Sequence, residues 1–205
     1  MALPAGKVVL ASGNPGKLKE MGALLSGLDI ELCPQSLFAV PDVEETGQSF
    51  VENAILKTRN AARYTNLPAI ADDSGIQVDV LGGAPGIYSA RYAGAGASDD
   101  ENLRLLLARL AVREEVQATA CFQCVMVFLR YPDDAMPVIA QGTWHGYIVA
   151  EPRGENGFGY DPIFYVPTHG CTSAELDAEE KNKISHRGQA MRELLEKMSV
   201  LNLRK

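Results

Sequence analysis

The chain has 205 residues, 46% hydrophobic and 22% charged, with 26 acidic side chains against 19 basic ones and a formal net charge of −7. That length buries most of a sizeable core, in one large domain or two small lobes, and the hydrophobic content excludes extensive disorder. The acidic balance opposes sequence-independent binding to nucleic acid, which needs clustered Lys and Arg, and no apolar run approaches the ~20 residues that span a bilayer. Met1 to Gly6 has neither the basic start nor the apolar core of a secretion signal, so a cytoplasmic location is expected.

Lys7 to Ala11 is a short apolar strand that runs into Ser12-Gly13-Asn14-Pro15-Gly16-Lys17, after which Leu18 to Leu28 has helical periodicity. Glycines, an asparagine and a terminal lysine between a strand and a helix suit a bound phosphate. Backbone amides and the positive helix end attract anionic oxygens, and Lys17 adds a full charge. The spacing is not that of a Walker loop, and an ordinary strand-to-helix turn fits equally well. Ile30 to Cys33 is a second strand. The irregular stretch after it contains Pro34 and Pro41 and ends in Glu44-Glu45-Thr46-Gly47, either a solvated acidic loop or metal ligands arriving from a second segment. Ser49 and Glu52 form a capping box that opens a helix to about Tyr64, with Asn53 and Lys57 on one face. On its own, Lys57 reads as a surface lysine.

Pro68 to Ala71 is a strand that runs into Asp72-Asp73-Ser74-Gly75, and Ile76 to Leu81 is a second extended piece. Adjacent ionised carboxylates repel unless a cation or a basic partner lies between them, which points to magnesium, although Asp, Ser and Gly also start turns. The glycines of Gly82-Gly83-Ala84-Pro85-Gly86 let backbone approach another group closely. A second capping box, Ser98 to Glu101, leads a Leu-rich helix to about Val112. Thr119 to Arg130 and Val138 to Ala150 are long strands joined through Tyr131-Pro132-Asp133-Asp134, an antiparallel hairpin able to form a separate lobe. Within such a strand Cys121 and Cys124 point to opposite faces and cannot share one zinc ion. With no secretion signal, Cys33, Cys121, Cys124 and Cys171 read as free thiols.

Glu151 to Pro167 is rich in loops. Its segment Phe158-Gly159-Tyr160-Asp161-Pro162 sets aromatic faces and a carboxylate beside glycines, suited to stacking a flat base or to plugging a core. Ser185 opens a last amphipathic helix through Met198. Lys181, His186 and Arg187 gather near its start, where the helix dipole disfavours cations, so a bound anion or carbonyl is expected there. Alone, His186 reads as a satisfied surface histidine.

Taken in order, Ser12 to Lys17, Ser49 to Ala54, Ala71 to Gly75, Gly82 to Gly86, Gly157 to Pro162 and Ile184 to Gly188 resemble the inosine triphosphate pyrophosphatase family, from Lys7 to the last helix. Glu155-Asn156 departs from it, being bulkier than the small residues expected before Phe158. The resemblance implies a homodimeric α/β protein with one domain over residues 1–205. Its long central mixed β-sheet would be flanked by helices, in two lobes with a substrate cleft between them. It also implies hydrolysis of non-standard purine nucleoside triphosphates (dITP, ITP, XTP and dXTP) to the monophosphate and pyrophosphate. By the same resemblance Ser12, Gly13, Asn14, Pro15, Gly16 and Lys17 would hold the phosphates. Glu44 and Asp73 would bind magnesium, with Asp72 and Glu45 assisting, and Asp73 would accept the proton. Ser74 and Lys57 would touch the triphosphate, Phe158 with Gly159 would meet the base, and Tyr160, Asp161, Lys181, His186 and Arg187 would complete the nucleoside pocket. Two other readings stand beside this one. The related septum-formation inhibitor family cleaves other triphosphates, but the Ser-His-Arg and Phe-Gly-Tyr-Asp segments disfavour it. A nucleotide-binding sensor would hold a triphosphate without cleaving it.

Overall fold

The computed structural model describes residues 6–25, 30–113 and 117–202. Its strands are β1 (Gly6–Leu10), β2 (Ile30–Pro34), β3 (Ala69–Val78), β4 (Gln117–Leu129), β5 (Val138–Val149), β6 (Phe164–Val166) and β7 (Cys171–Thr172). The helices are α1 (Pro15–Leu25), α2 (Phe50–Thr65), α3 (Asp99–Ala111), α4 (Ala178–Ile184) and α5 (His186–Asn202). The strands form one sheet in the order β2-β1-β3-β4-β5-β6-β7. β1 runs parallel to β2 and β3, whereas β6 runs antiparallel to β5 and β7, which makes the sheet mixed as expected. No described helix is long and apolar enough to cross a membrane.

The chain divides into two compact units. The first comprises residues up to Asp73, Cys124–Gly142 and Arg187 onward. Strand alternation gives it two cores. On one face Leu10, Ile70 and Met126 pack with Met21 of α1 and with Met191 and Leu194 of α5. On the other, Val9, Ala69 and Ala71 pack with Ala61 and Ala62 of α2, while Val125, Val127 and Leu129 pack with Ala54 of the same helix. Alanines on the strand-facing side of α2 let its backbone lie close to β3, which brings its longer side chains within reach of the acids there. The second unit, Ser74–Gln123 and Thr143–His186, centres on Leu103 and Leu106 of α3 packed with Ile76, Phe122, Trp144 and Phe164.

Several expectations change. Asp72-Asp73-Ser74-Gly75 does not interrupt β3, which runs unbroken from Ala69 to Val78, and Asp79–Leu81 is a 3₁₀ turn rather than strand. The β4–β5 pair is not a lobe of its own, because residues 124–142 belong to the first unit and the outer halves of both strands to the second. α1 starts three residues early, at Pro15. Proline's fixed φ and missing N–H suit a first turn, and Asn14 Oδ1 accepts from Lys17 N at 3.1 Å. The expected end of this helix at Leu28 lies outside the described residues. Finally, β6 lies in the segment to Pro167 expected to be mostly loop, and β7 and α4 follow it where no element was expected, since strands of three and two residues and a seven-residue helix are too short to show periodicity.

The turn between β4 and β5 is built on Asp134, which is 1% exposed. Its carboxylate accepts from Arg130 Nη2 at 2.6 Å and Nε at 2.7 Å, and from the backbone amides of Arg130 at 3.1 Å and Met136 at 3.0 Å. The Arg130 hydrogen bonds hold the Asp134 carboxyl at about 2, below its ordinary value. Replacing it by alanine removes the acceptor for all four donors, so Asp134→Ala is expected to cost about 1–3 kcal/mol in urea unfolding, with an unchanged m-value. Because its pKa is depressed on folding, this contribution is complete above about pH 4 and is lost as the pH falls toward 2. The stability gap between natural chain and variant should close over that window.

Candidate active site

Within β3, consecutive side chains turn to opposite faces. Asp73 follows Ala69 and Ala71 toward α2, and Asp72 follows Ile70 toward α1 and α5. The two acids, expected to share one cation, therefore have separate partners.

Asp73 is 6% exposed. Lys57 Nζ donates to its Oδ1 at 2.7 Å and to Glu45 Oε1 at 2.8 Å, and Asn53 Nδ2 donates to Asp73 Oδ2 at 3.4 Å. Asn53 and Lys57 reach it together because they are one helical turn apart on α2. Asn53 Oδ1 also accepts from Gly47 N at 2.8 Å, which ties the acidic loop to the same helix. A β-carbon at Gly47 would lie 2.6 Å from Asn53 Oδ1 and from Glu52 Cβ, so this position has room only for glycine. Pro41 is held on α2 by Asn60 Nδ2, 2.8 Å from its carbonyl oxygen. The loop thus delivers Glu45 to the Lys57–Asp73 pair, while Glu44 is exposed. Burial raises the Asp73 pKa, and attraction to Lys57 only partly offsets this. Burial acts against the Lys57 charge, but Asp73, Asp72 and Glu45 outweigh it and leave the ammonium harder to deprotonate than usual.

Asp72 is 1% exposed and lies in a buried ionic network. Lys17 Nζ is 3.0 Å from Asp72 Oδ2, and Arg187 Nε and Nη2 donate to the same oxygen at 3.3 Å. Arg187, 2% exposed, also donates to Glu20 of α1. Two cations balance two carboxylates. Burial works against ionisation of Asp72, yet Lys17, Arg187 and Lys57 together hold it well below the usual carboxylate range. Its Oδ1 is buried without a hydrogen-bond partner among the described residues. Cys124 Sγ lies 4.0 Å from Asp72 Oδ2, and burial followed by the carboxylate charge pushes this thiol up to about 12. The anion anticipated beside Arg187 is thus supplied by the protein. In the phosphate-loop candidate, Ser12 Oγ accepts from Asn14 N at 3.2 Å, so the loop's own polar side chains shape the turn that opens α1.

In the second unit, the segment from Phe158 to Asp161 is fastened mainly through its polar atoms. Asp161, 2% exposed, accepts from Phe158 N at 2.8 Å, Ser173 Oγ at 2.8 Å and Lys181 Nζ at 2.6 Å. The Lys181 ammonium also lies 5.2 Å from the centre of the Phe158 ring, within cation–π range. Tyr160 donates its hydroxyl to Ser89 O at 2.9 Å, and burial raises its pKa. Gly157 has φ +78°, and a β-carbon there would collide with the Asp161 carboxylate. His186 is not a surface residue. It is 5% exposed and stacks on Phe122, with ring centres 4.7 Å apart and planes 9° apart. Ser74 is half-buried on β3 just beyond Asp73.

The structure adds Asn53, Gly47 and Glu20 to the residues singled out from sequence. Asn53 carried a faint signal, one helical turn before Lys57 on the same face. Glu20 carried none, because its partner Arg187 lies 167 residues away. All four cysteines are free thiols, as expected. Among the described residues, no three His, Cys, Asp or Glu side chains converge in a group able to hold a metal ion by themselves.

Residues 8–197 match the model of the Ham1 family. A curated dITP/XTP pyrophosphatase from Thioalkalivibrio sulfidiphilus is 59% identical over 192 residues, covering 94% of this chain and 98% of that protein. Its counterpart from Escherichia coli K12 is 55% identical over 190 residues, 93% of this chain and 96% of its own. Among solved structures, a HAM1 protein from Coxiella burnetii superposes with a TM-score of 0.86 at 52% identity, covering 96% of this chain and 98% of that one. A nucleoside-triphosphatase / dITP/XTP pyrophosphatase from Mycobacterium abscessus gives a TM-score of 0.70 at 42% identity, covering 92% and 98%. Sequence likeness of this extent, on the same mixed sheet and helices, makes this chain a member of the Ham1 family.

Proposed function

We propose that this protein hydrolyses the non-standard purine nucleoside triphosphates dITP, ITP, XTP and dXTP to the monophosphate and pyrophosphate, and so removes deaminated purines from the nucleotide pool. The observation that carries this reading is the buried Asp73–Lys57 pair, in a chain whose curated relatives are named for cleavage of dITP and XTP. Asp73 is the proton acceptor for the attacking water. A carboxylate whose proton affinity is raised by burial is a stronger base near neutral pH than an exposed one. Lys57 stays cationic and neutralises charge on the phosphoryl oxygens as the bond to pyrophosphate breaks. The amides of Ser12 to Lys17, at the start of α1, receive phosphate oxygens. Asp72 takes no proton. It holds Lys17 at the loop and Arg187 at the start of α5.

Magnesium fits the donor set. Asp73 and Glu45 already converge on one cation, Lys57 Nζ, at 2.7 and 2.8 Å, and with exposed Glu44 they offer hard carboxylate oxygens. Magnesium is commonly held by one or two carboxylates together with substrate phosphates, so Asp73 with Glu44 and Glu45 would suffice. When bound it would lower the pKa of water and stabilise negative charge on the leaving group. In the second unit Phe158 stacks on the purine, and the Lys181 ammonium beside it donates toward the 6-oxo group that inosine and xanthosine have and adenine lacks. Tyr160 and Asp161 serve the same end by fixing that loop, Arg187 by fixing Asp72. The same reading makes the enzyme a cytoplasmic homodimer of single-domain subunits. A monomer in sedimentation across micromolar concentrations would remove the dimer.

Product analysis with dITP, XTP, ITP, dGTP and ATP in magnesium should give monophosphate and pyrophosphate from the first three only. If all five remain intact while one binds tightly, a sensor replaces the enzyme. Asp73→Asn is expected to lower kcat about 10²–10⁴-fold while leaving the thermal midpoint near that of the natural chain. Chelation by EDTA should abolish turnover, and added magnesium should restore it. Full activity in the chelator would exclude the metal.

A further inference from the structure

We infer that Asp99 is a positioning residue for purine recognition, clamping the backbone on one side of Phe158 while Asp161 clamps it on the other. This rests on the reading of the Phe158 loop as the base-binding element.

Asp99 is the first residue of α3, where an acid ordinarily needs no explanation beyond the helix dipole. Here the capping is complete without it. Ser98 Oγ accepts from Glu101 N at 3.3 Å, and Glu101 Oε2 accepts from Ser98 N at 2.8 Å. The Asp99 carboxylate reaches across 60 residues of sequence instead, and its Oδ2 accepts from Gly159 N at 2.8 Å. Asp161 Oδ2 accepts from Phe158 N at the same 2.8 Å. The two anchored amides are those on either side of the Phe158 α-carbon, so together they fix both peptide planes that determine where the ring points. Gly157 at φ +78° and Gly159 at φ +63° carry Phe158 in a bend that lies outside any helix or strand. The inner clamp is buried with Lys181 and Ser173. The outer one is made by an exposed side chain.

The consequence is a separation of roles. The inner clamp belongs to the fold, whereas the outer one can be removed from a folded protein and acts on the presentation of the ring. Ordering Phe158 before the nucleotide arrives lowers the entropic cost of stacking, which appears in binding rather than in the chemical step.

The test compares Asp99→Ala with Asp99→Asn, which keeps an acceptor oxygen. For dITP the alanine variant should raise KM about five- to tenfold with kcat within about twofold of the natural value, a change matching loss of one ordinary hydrogen bond. The asparagine variant should restore KM to within about twofold. Exchange of the Gly159 amide, followed by NMR without nucleotide, should be faster in Asp99→Ala at an unchanged thermal midpoint. An unchanged KM in Asp99→Ala would overturn the inference. So would an asparagine variant as impaired as alanine, or a parallel fall in kcat and thermal midpoint. A natural chain that does not hydrolyse dITP would remove the proposed function and this inference with it, whereas an active natural chain with an unaffected Asp99→Ala variant removes the inference alone.

Discussion

Alternation of side chains along a strand is the constraint on which the first unit depends. Two acids in succession would repel strongly if both faced one pocket. Carried on an unbroken β3, Asp72 and Asp73 instead meet different helices. Asp72 is paired with Lys17 and with Arg187, which also meets Glu20, and it stays ionised. Asp73 has a single strong cationic contact, Lys57, which it shares with Glu45, and burial raises its pKa. Neighbouring carboxylates can in this way be given different proton affinities by their surroundings.

The ionic network also explains how remote parts of the chain are held in register. Lys17 and Glu20 come from α1, Asp72 from β3 and Arg187 from the first turn of α5. Removing one member of a buried pair leaves its partner charged and unsatisfied, typically worse than never having had the pair. The network thus makes α1 and α5 depend on the strand that carries Asp73. Cys124, packed against Asp72, remains a thiol mainly because it is buried and secondarily because of the Asp72 charge.

In the second unit, polar residues that invite assignment as ligand contacts are mostly spent on the protein. Asp161 has three donors, and Tyr160 has its own acceptor in Ser89. The Lys181 ammonium is itself bonded to Asp161 and lies against the face of the Phe158 ring. A flat face and a cation are suited to a purine carrying a 6-oxo group.

Local features were legible in the sequence because they depend on neighbours along the chain. The Ser98–Glu101 capping box, the helix from Phe50 with Asn53 and Lys57 on one face, the long β4 and β5, and the opposed Cys121 and Cys124 all follow from periodicity and capping. The importance of Asp72-Asp73 was equally plain, since paired acids beside an apolar strand need a reason. Their separation was not, because a run of Asp, Ser and Gly reads as a turn until neighbouring strands provide ladder partners that keep it extended. The anion for Arg187 was likewise hidden, because Asp72 lies 115 residues away in the chain and Glu20 still farther. Sequence by itself determined which groups carry charge, which segments are helix or strand and which family they resemble. Tertiary structure alone decided which charges meet, since burial, and the partners that make it tolerable, come only from elements brought together by the sheet.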